Sequence, residues 1–184
     1  MKTYPLDKVY RLIEPGPVLL VTTADAKGAA NVMTASWVVM MDFTPPLIGL
    51  SLGPWNHSYA VLRSTKECVI AIPGVDLISR VVAIGNCSGA DADKFAKFKL
   101  TALPAGKVHA PLVAECLHNL ECRVVDARMV GKYNLWVLEA VAAWENPERK
   151  ERRIFHAHGN GIFHVQGRTH DLQKEMTRWQ EFVD

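Results

Sequence analysis

Residues 18–53 read VLLVTTADAKGAANVMTASWVVMMDFTPPLIGLSLG. Apolar and β-branched residues fill Val18 to Thr23, Val32 to Met41 and Leu47 to Leu52, while Asp25 to Gly28 and Pro45-Pro46 supply turn chemistry, so the stretch predicts three strands. Its middle is unusual. Asn31, Thr34, Ser36 and Trp37 place an amide, two hydroxyls and an indole in an otherwise apolar run, beside the small residues Ala29, Ala30 and Ala35 that let a ligand approach backbone.

Working outward, the pattern stays mainly β. Strands are predicted at Cys68 to Pro73, across LVAECLHNLECRVVDARMV, and at YNLWVLEAVAAW after a Gly131-Lys132 turn, the last two forming a long hairpin. In that hairpin Leu120, Cys122 and Val124 alternate with Glu121, Arg123 and Val125. A second, shorter hairpin is expected around Gly159-Asn160-Gly161. Helical spacing appears at Asp7 to Ile13, in YAVLRS after Asn56-His57-Ser58, from Asp76 through Ile84, around Lys94 to Phe98, and from Asp171 to Val183. Six or seven strands with helices between them argue for one domain over residues 1–184, a β-barrel with helical decorations and a C-terminal helix over 171–183.

Composition narrows the partners. With 49% hydrophobic and 22% charged residues and a net charge of +2, the chain is an ordinary globular protein without the basic surface that nucleic acid requires. Its N-terminus, MKTYPLDKVYRL, lacks the apolar core of a signal peptide, and no apolar run approaches the ~18 residues of a membrane span. A cytoplasmic protein with no membrane contact is expected. The four cysteines, Cys68, Cys87, Cys116 and Cys122, form no CxxC pair and read as reduced thiols.

Two places suit an anion. At Asn56-His57-Ser58 a helix start offers backbone N–H groups, the positive end of its dipole and a hydroxyl, although capping alone also accounts for Ser58. Ser88-Gly89 with Lys94 adds a second hydroxyl, a glycine for close approach and a full positive charge. Neither is specific alone; with the polar strand they describe a phosphate clamp joined to a seat for a flat ligand.

Taken in order, the Val18 to Trp37 run, DFTPPLIGLSLG, HSYAVLRSTKECVIAIP, NCSGADADKF and HAPLVAECLHNLECRVVD resemble the flavin reductase-like family of FMN-binding split barrels, flavoredoxins included, over residues 5–168. The resemblance implies a mainly β fold with α, a split β-barrel of Greek-key type with inserted helices. It also implies FMN as cofactor. Asn31, Thr34, Ala35, Ser36 and Trp37 then neighbour the isoalloxazine ring; His57, Ser58, Ser88, Gly89, Lys94 and Phe95 serve the phosphate end; and the segment containing His158 and Phe163 approaches the flavin. A homodimer is implied as well.

One departure concerns the electron donor. Nicotinamide-using relatives often carry a tyrosine beside a histidine where this chain reads His158-Gly159-Asn160-Gly161-Ile162-Phe163-His164, so the ring is kept and the phenol is absent. NADH or NADPH remains the expected donor of a flavin reductase, and a redox protein that of a flavoredoxin-type carrier. Hydride transfer to a flavin needs alignment and exclusion of water more than an acid or base, so no catalytic residue is assigned. His158 is the candidate for orienting a nicotinamide. His156, His158, His164 and His170 also admit a zinc or copper reading, or a non-catalytic binding module, but spacing fixes no third ligand and no metal is expected.

Overall fold

A computed structural model of the protein describes residues 16–170 and Leu172. The helix expected at Asp7 to Ile13 lies outside these residues, as does all of the one expected over 171–183 except Leu172.

Four strands come first among the described residues: β1 (Leu19–Ala24), β2 (Ala30–Ala35), β3 (Val38–Phe43) and β4 (Pro46–Ser51). Helix α1 (Ser58–Thr65) leads to β5 (Glu67–Ile72), and a 3-10 turn (Val75–Leu77) leads to α2 (Ile78–Gly85). The short α3 (Lys94–Lys97) precedes two small strands, β6 (Ala102–Leu103) and β7 (Leu112–Val113). Then β8 (His118–Asp126) and β9 (Leu135–Glu145) flank α4 (Val130–Tyr133), and β10 (Phe155–Gly159) with β11 (Ile162–Val165) forms the expected small hairpin. The long hairpin therefore turns through a helix, where a tight turn at Gly131-Lys132 was expected.

Seven strands make one antiparallel sheet in the order β2-β1-β5-β8-β9-β4-β3. The expected single strand from Val32 to Met41 is in fact two, interrupted at Ser36 and Trp37. These halves do not continue each other: β2 and β3 are the opposite edges of the sheet. Because two residues span from one edge to the other, Ala35 and Val38 lie at most about 11 Å apart. The sheet must therefore curl almost shut, leaving a split bridged by Ser36-Trp37. Register shifts in the β8–β9 ladder, between Glu121 and Cys122 and between Val124 and Asp126, add local bend to the curl.

The curl explains why LLVTT shows no alternation. All six residues of β1 are buried, because the strand has protein on both faces. Leu19 and Val21 point into the barrel with Met33, Leu50, Ile70 and Trp136. Val18 and Leu20 point outward into a second core with Val81, Ile84, Phe95 and Phe155, contributed by α2, α3 and the small hairpin. That second core fixes α2 and α3 against β2 and so shapes the clefts described below.

One local conflict is correctable. Lys99 follows α3 with a left-handed φ of 50°, a geometry that suits glycine, while the Leu100 N–H donates to the Phe95 carbonyl at 2.9 Å. Lys99→Gly is expected to raise stability by about 0.5 kcal/mol, the steric relief slightly exceeding glycine's added chain entropy. Thermal unfolding should show a gain of about 1–2 °C.

Candidate functional site

The loop before α1 makes a turn at Gly53-Pro54-Trp55-Asn56, with the Asn56 N–H donating to the Gly53 carbonyl at 3.0 Å. His57 is the N-cap, but its side chain caps nothing, and Ser58 is already inside the helix. Nor does the Ser58 hydroxyl cap the helix. Its oxygen accepts hydrogen bonds from Thr23 Oγ1 at 3.1 Å and Asn31 Nδ2 at 2.8 Å, all three groups being buried. Ser58 thus holds Asn31 in place from behind.

Asn31 Oδ1 faces Gly89, so closely that a Cβ there would lie 2.3 Å from it and 2.7 Å from His57 Cδ2. The glycine is a steric requirement of the junction. Lys94 begins α3, whose N-terminus is capped by Asp93 Oδ1 accepting from the Ala96 N–H at 3.1 Å. Its ammonium, 4% exposed as a residue, donates to the Ile84 carbonyl at 3.1 Å, at the C-terminal end of α2. Burial lowers its pKa from the usual lysine value, with Cys87 opposing weakly, so an anion beside it would restore the charge's lost solvation.

These groups surround a cavity of about 280 Å³ to which Asn31, Thr34, His57, Ser88, Gly89 and Lys94 all contribute. None of its lining residues is acidic. A second cavity, about 290 Å³, lies between the end of β2 and the tip of the small hairpin, with Thr34, Ala35, Ser36 and Phe163 among its walls. Thr34 lines both, and its hydroxyl donates to the Val81 carbonyl at 2.7 Å, pinning β2 to α2 where the cavities meet. The two adjoin at this residue, the first electropositive through Lys94 and the second walled mainly by apolar side chains.

Other expected neighbours lie elsewhere. Trp37 lines neither cavity and is 56% exposed at the split. Phe95 belongs to the second core and borders an adjacent trough, about 570 Å³, that shares Gly89 with the first cavity. His158 also lines neither cavity. His156 and His164 pair across the hairpin, and the His158 and His164 rings meet edge to face at 4.7 Å, on the face opposite Ala157 and Phe163. Among the described residues no three histidine, cysteine or acidic side chains converge as metal ligands. Trp55 and Cys87, which no motif marks in the sequence, both line the first cavity; the Gly53-Pro54 turn is the local signal for Trp55.

The sequence model of the flavin reductase like domain matches residues 10–166, most of the chain. The protein belongs to this family. Its flavin reductase-like relatives include an NADH:riboflavin 5'-phosphate oxidoreductase of Streptomyces pristinaespiralis, 29% identical over 65% of each chain. A protein of Archaeoglobus fulgidus is 39% identical over 59% of this chain, and the match spans 62% of that relative's length. Among solved structures, the FMN-binding domain of a flavin reductases-like enzyme from Shewanella baltica is similar with a TM-score of 0.78 and 26% identity, over 92% of this chain and 96% of that one. The flavoredoxin of Desulfovibrio vulgaris gives a TM-score of 0.79 at 23% identity, over 93% and 96%, a likeness of fold. The curled seven-stranded sheet is thus the split barrel of this family.

Proposed function

We propose that the flavin reductase-like chain holds FMN across these two adjoining cavities and moves electrons from NADH or NADPH to a flavin or another acceptor. The observation that carries the reading is that two cavities of contrasting character share Thr34 as a wall. An acid-free end offers Lys94 and the α1 N-terminus to a phosphate, and an end walled by β2 and Phe163 offers a slot to a planar ring. When bound, FMN supplies a centre that takes up and releases a hydride. The chain's own groups position it: Ser58 orients Asn31, Gly89 permits close approach, and Thr34 ties β2 to α2 where the two cavities adjoin. The Streptomyces relative's name supports the donor assignment.

The purified protein, incubated with FMN and gel-filtered, is expected to retain a flavin spectrum that bleaches on anaerobic addition of NADH or NADPH. A retained spectrum that bleaches only with dithionite or a protein donor would replace the reductase by an electron carrier. That second reading draws on Phe163, whose ring lines the apolar end without a phenol. No retained flavin would overturn both.

The same proposal includes a cytoplasmic homodimer. Edge strand β3 exposes Val39, Met40, Met41 and Phe43, an apolar strip of the kind that edge strands otherwise avoid and that a second copy would cover. Among the described residues no helix is long and apolar enough to cross a membrane, and four free thiols suit a reducing compartment.

A further inference from the structure

We infer that Trp55 is a stacking platform for an adenine carried beyond the phosphate seat, so that the site discriminates dinucleotides from mononucleotides. The inference rests on the reading of the first cavity as that seat. Trp55 lines this cavity yet is 74% exposed, and His57, Gly89 and Lys94 share the lining with it. Its position is built rather than incidental. The Gly53 carbonyl accepts from both the Asn56 N–H at 3.0 Å and Asn56 Nδ2 at 3.2 Å, closing the turn that carries the indole at its third residue. Pro54, the second residue of that turn, fixes φ there.

Gly53 completes the device. A Cβ on it would fall 2.3, 2.4 and 2.6 Å from three carbons of the indole's six-membered ring, so the ring lies directly against the glycine backbone. Turn, glycine and double closure converge on holding one large aromatic surface in water at the mouth of an electropositive cavity. FMN has one planar group, and with that ring in the second cavity and the phosphate among Lys94, Ser88 and Gly89 it brings no second ring to that surface. A ligand that reaches it must extend past the phosphate, through a second one, to a planar base, which is the chemistry of an adenosine diphosphate group. Base–aromatic stacking needs no base-specific hydrogen bonds, and its loss weakens binding by about tenfold or more.

The group has two sources, FAD in the flavin seat or the adenine half of the nicotinamide donor. The test measures Kd for FMN and FAD by flavin fluorescence quenching, and KM for NADH and for reduced nicotinamide mononucleotide, in wild type, Trp55→Ala and Trp55→Phe. Trp55→Ala is expected to lower FAD's affinity relative to FMN's by about tenfold, and Trp55→Phe to restore most of it. If the NADH-to-mononucleotide ratio moves instead, the adenine is the donor's and the platform stands. If neither ratio moves while FMN still binds, the inference falls alone. If wild type binds no flavin, the seat itself is wrong and both readings fall.

Discussion

Replacing Glu121 by alanine is expected to lower the unfolding free energy by about 3–5 kcal/mol, read from urea denaturation at neutral pH. The side chain is completely buried on the outer face of β8, and no cation pairs with it among the bonds of the described residues. Four donors satisfy it instead. Oε1 accepts from the Gly106 N–H at 2.8 Å and Trp144 Nε1 at 2.6 Å, while Oε2 accepts from the Lys107 N–H and the Val108 N–H at 3.1 Å. Removing the carboxylate strands the buried Val108 N–H and the Trp144 indole N–H, and unties the Gly106-Lys107 turn from the layer where Val108, Ala110 and Leu112 cover Val69.

The pH dependence follows. Burial pushes the carboxyl pKa up, but the Gly106, Trp144, Lys107 and Val108 donors outweigh it, and the net shift is downward. A folded-state pKa below the unfolded value means that the stabilisation is present above the unfolded carboxylate range, about 4.3, and is lost as pH falls through the folded value. Wild type should therefore lose its advantage over Glu121→Gln on acidification below about pH 4. A stability gap between the two that stays constant from pH 7 to pH 3 would show that the charge contributes nothing.

Gly89→Ala is expected to weaken FMN binding by about 10- to 100-fold, measured by fluorescence quenching. The new methyl would overlap Asn31 Oδ1 and the His57 ring, and Asn31 cannot swing aside without giving up its 2.8 Å bond to Ser58. One of the polar groups facing the phosphate is displaced, and a hydrogen bond to a charged group is worth about 1.5–3 kcal/mol. Gly131→Ala is the control, since a Cβ there meets nothing within 4 Å. Wild-type affinity in Gly89→Ala would place the phosphate elsewhere.

Particular residues show what the sequence could and could not disclose. The β1 run was readable as a strand because its residues are β-formers whatever lies on either side, and Asp93, Lys94 and Phe95 announced a capped helix start. The break at Ser36-Trp37 was hidden, because strand propensity continues through VMTASWVVMM while the pairing partner changes, and pairing is non-local. Glu121 was hidden for a related reason. In an alternating strand it belongs to the row opposite the barrel core, and only residues 106–108, far off in sequence, turn that row into an interior. Asn31, His57 and the Gly89-to-Lys94 stretch come from three segments; residue chemistry marked each as a ligand-facing place, and the ordered family resemblance joined them with greater specificity than any one of them carried.

The dipeptide across the split has one further consequence. Most surface connections absorb an inserted residue at a small entropic cost. Ser36-Trp37 cannot, because its length sets the gauge between two strand edges and its first residue walls the apolar cavity. One added residue would either open the seam or slide β3 along β4, and a slip of one position turns every side chain of a strand to the opposite face. A link without regular structure is thus intolerant of added length, and one of its two residues, Ser36, serves both the barrel's closure and the wall of a cavity.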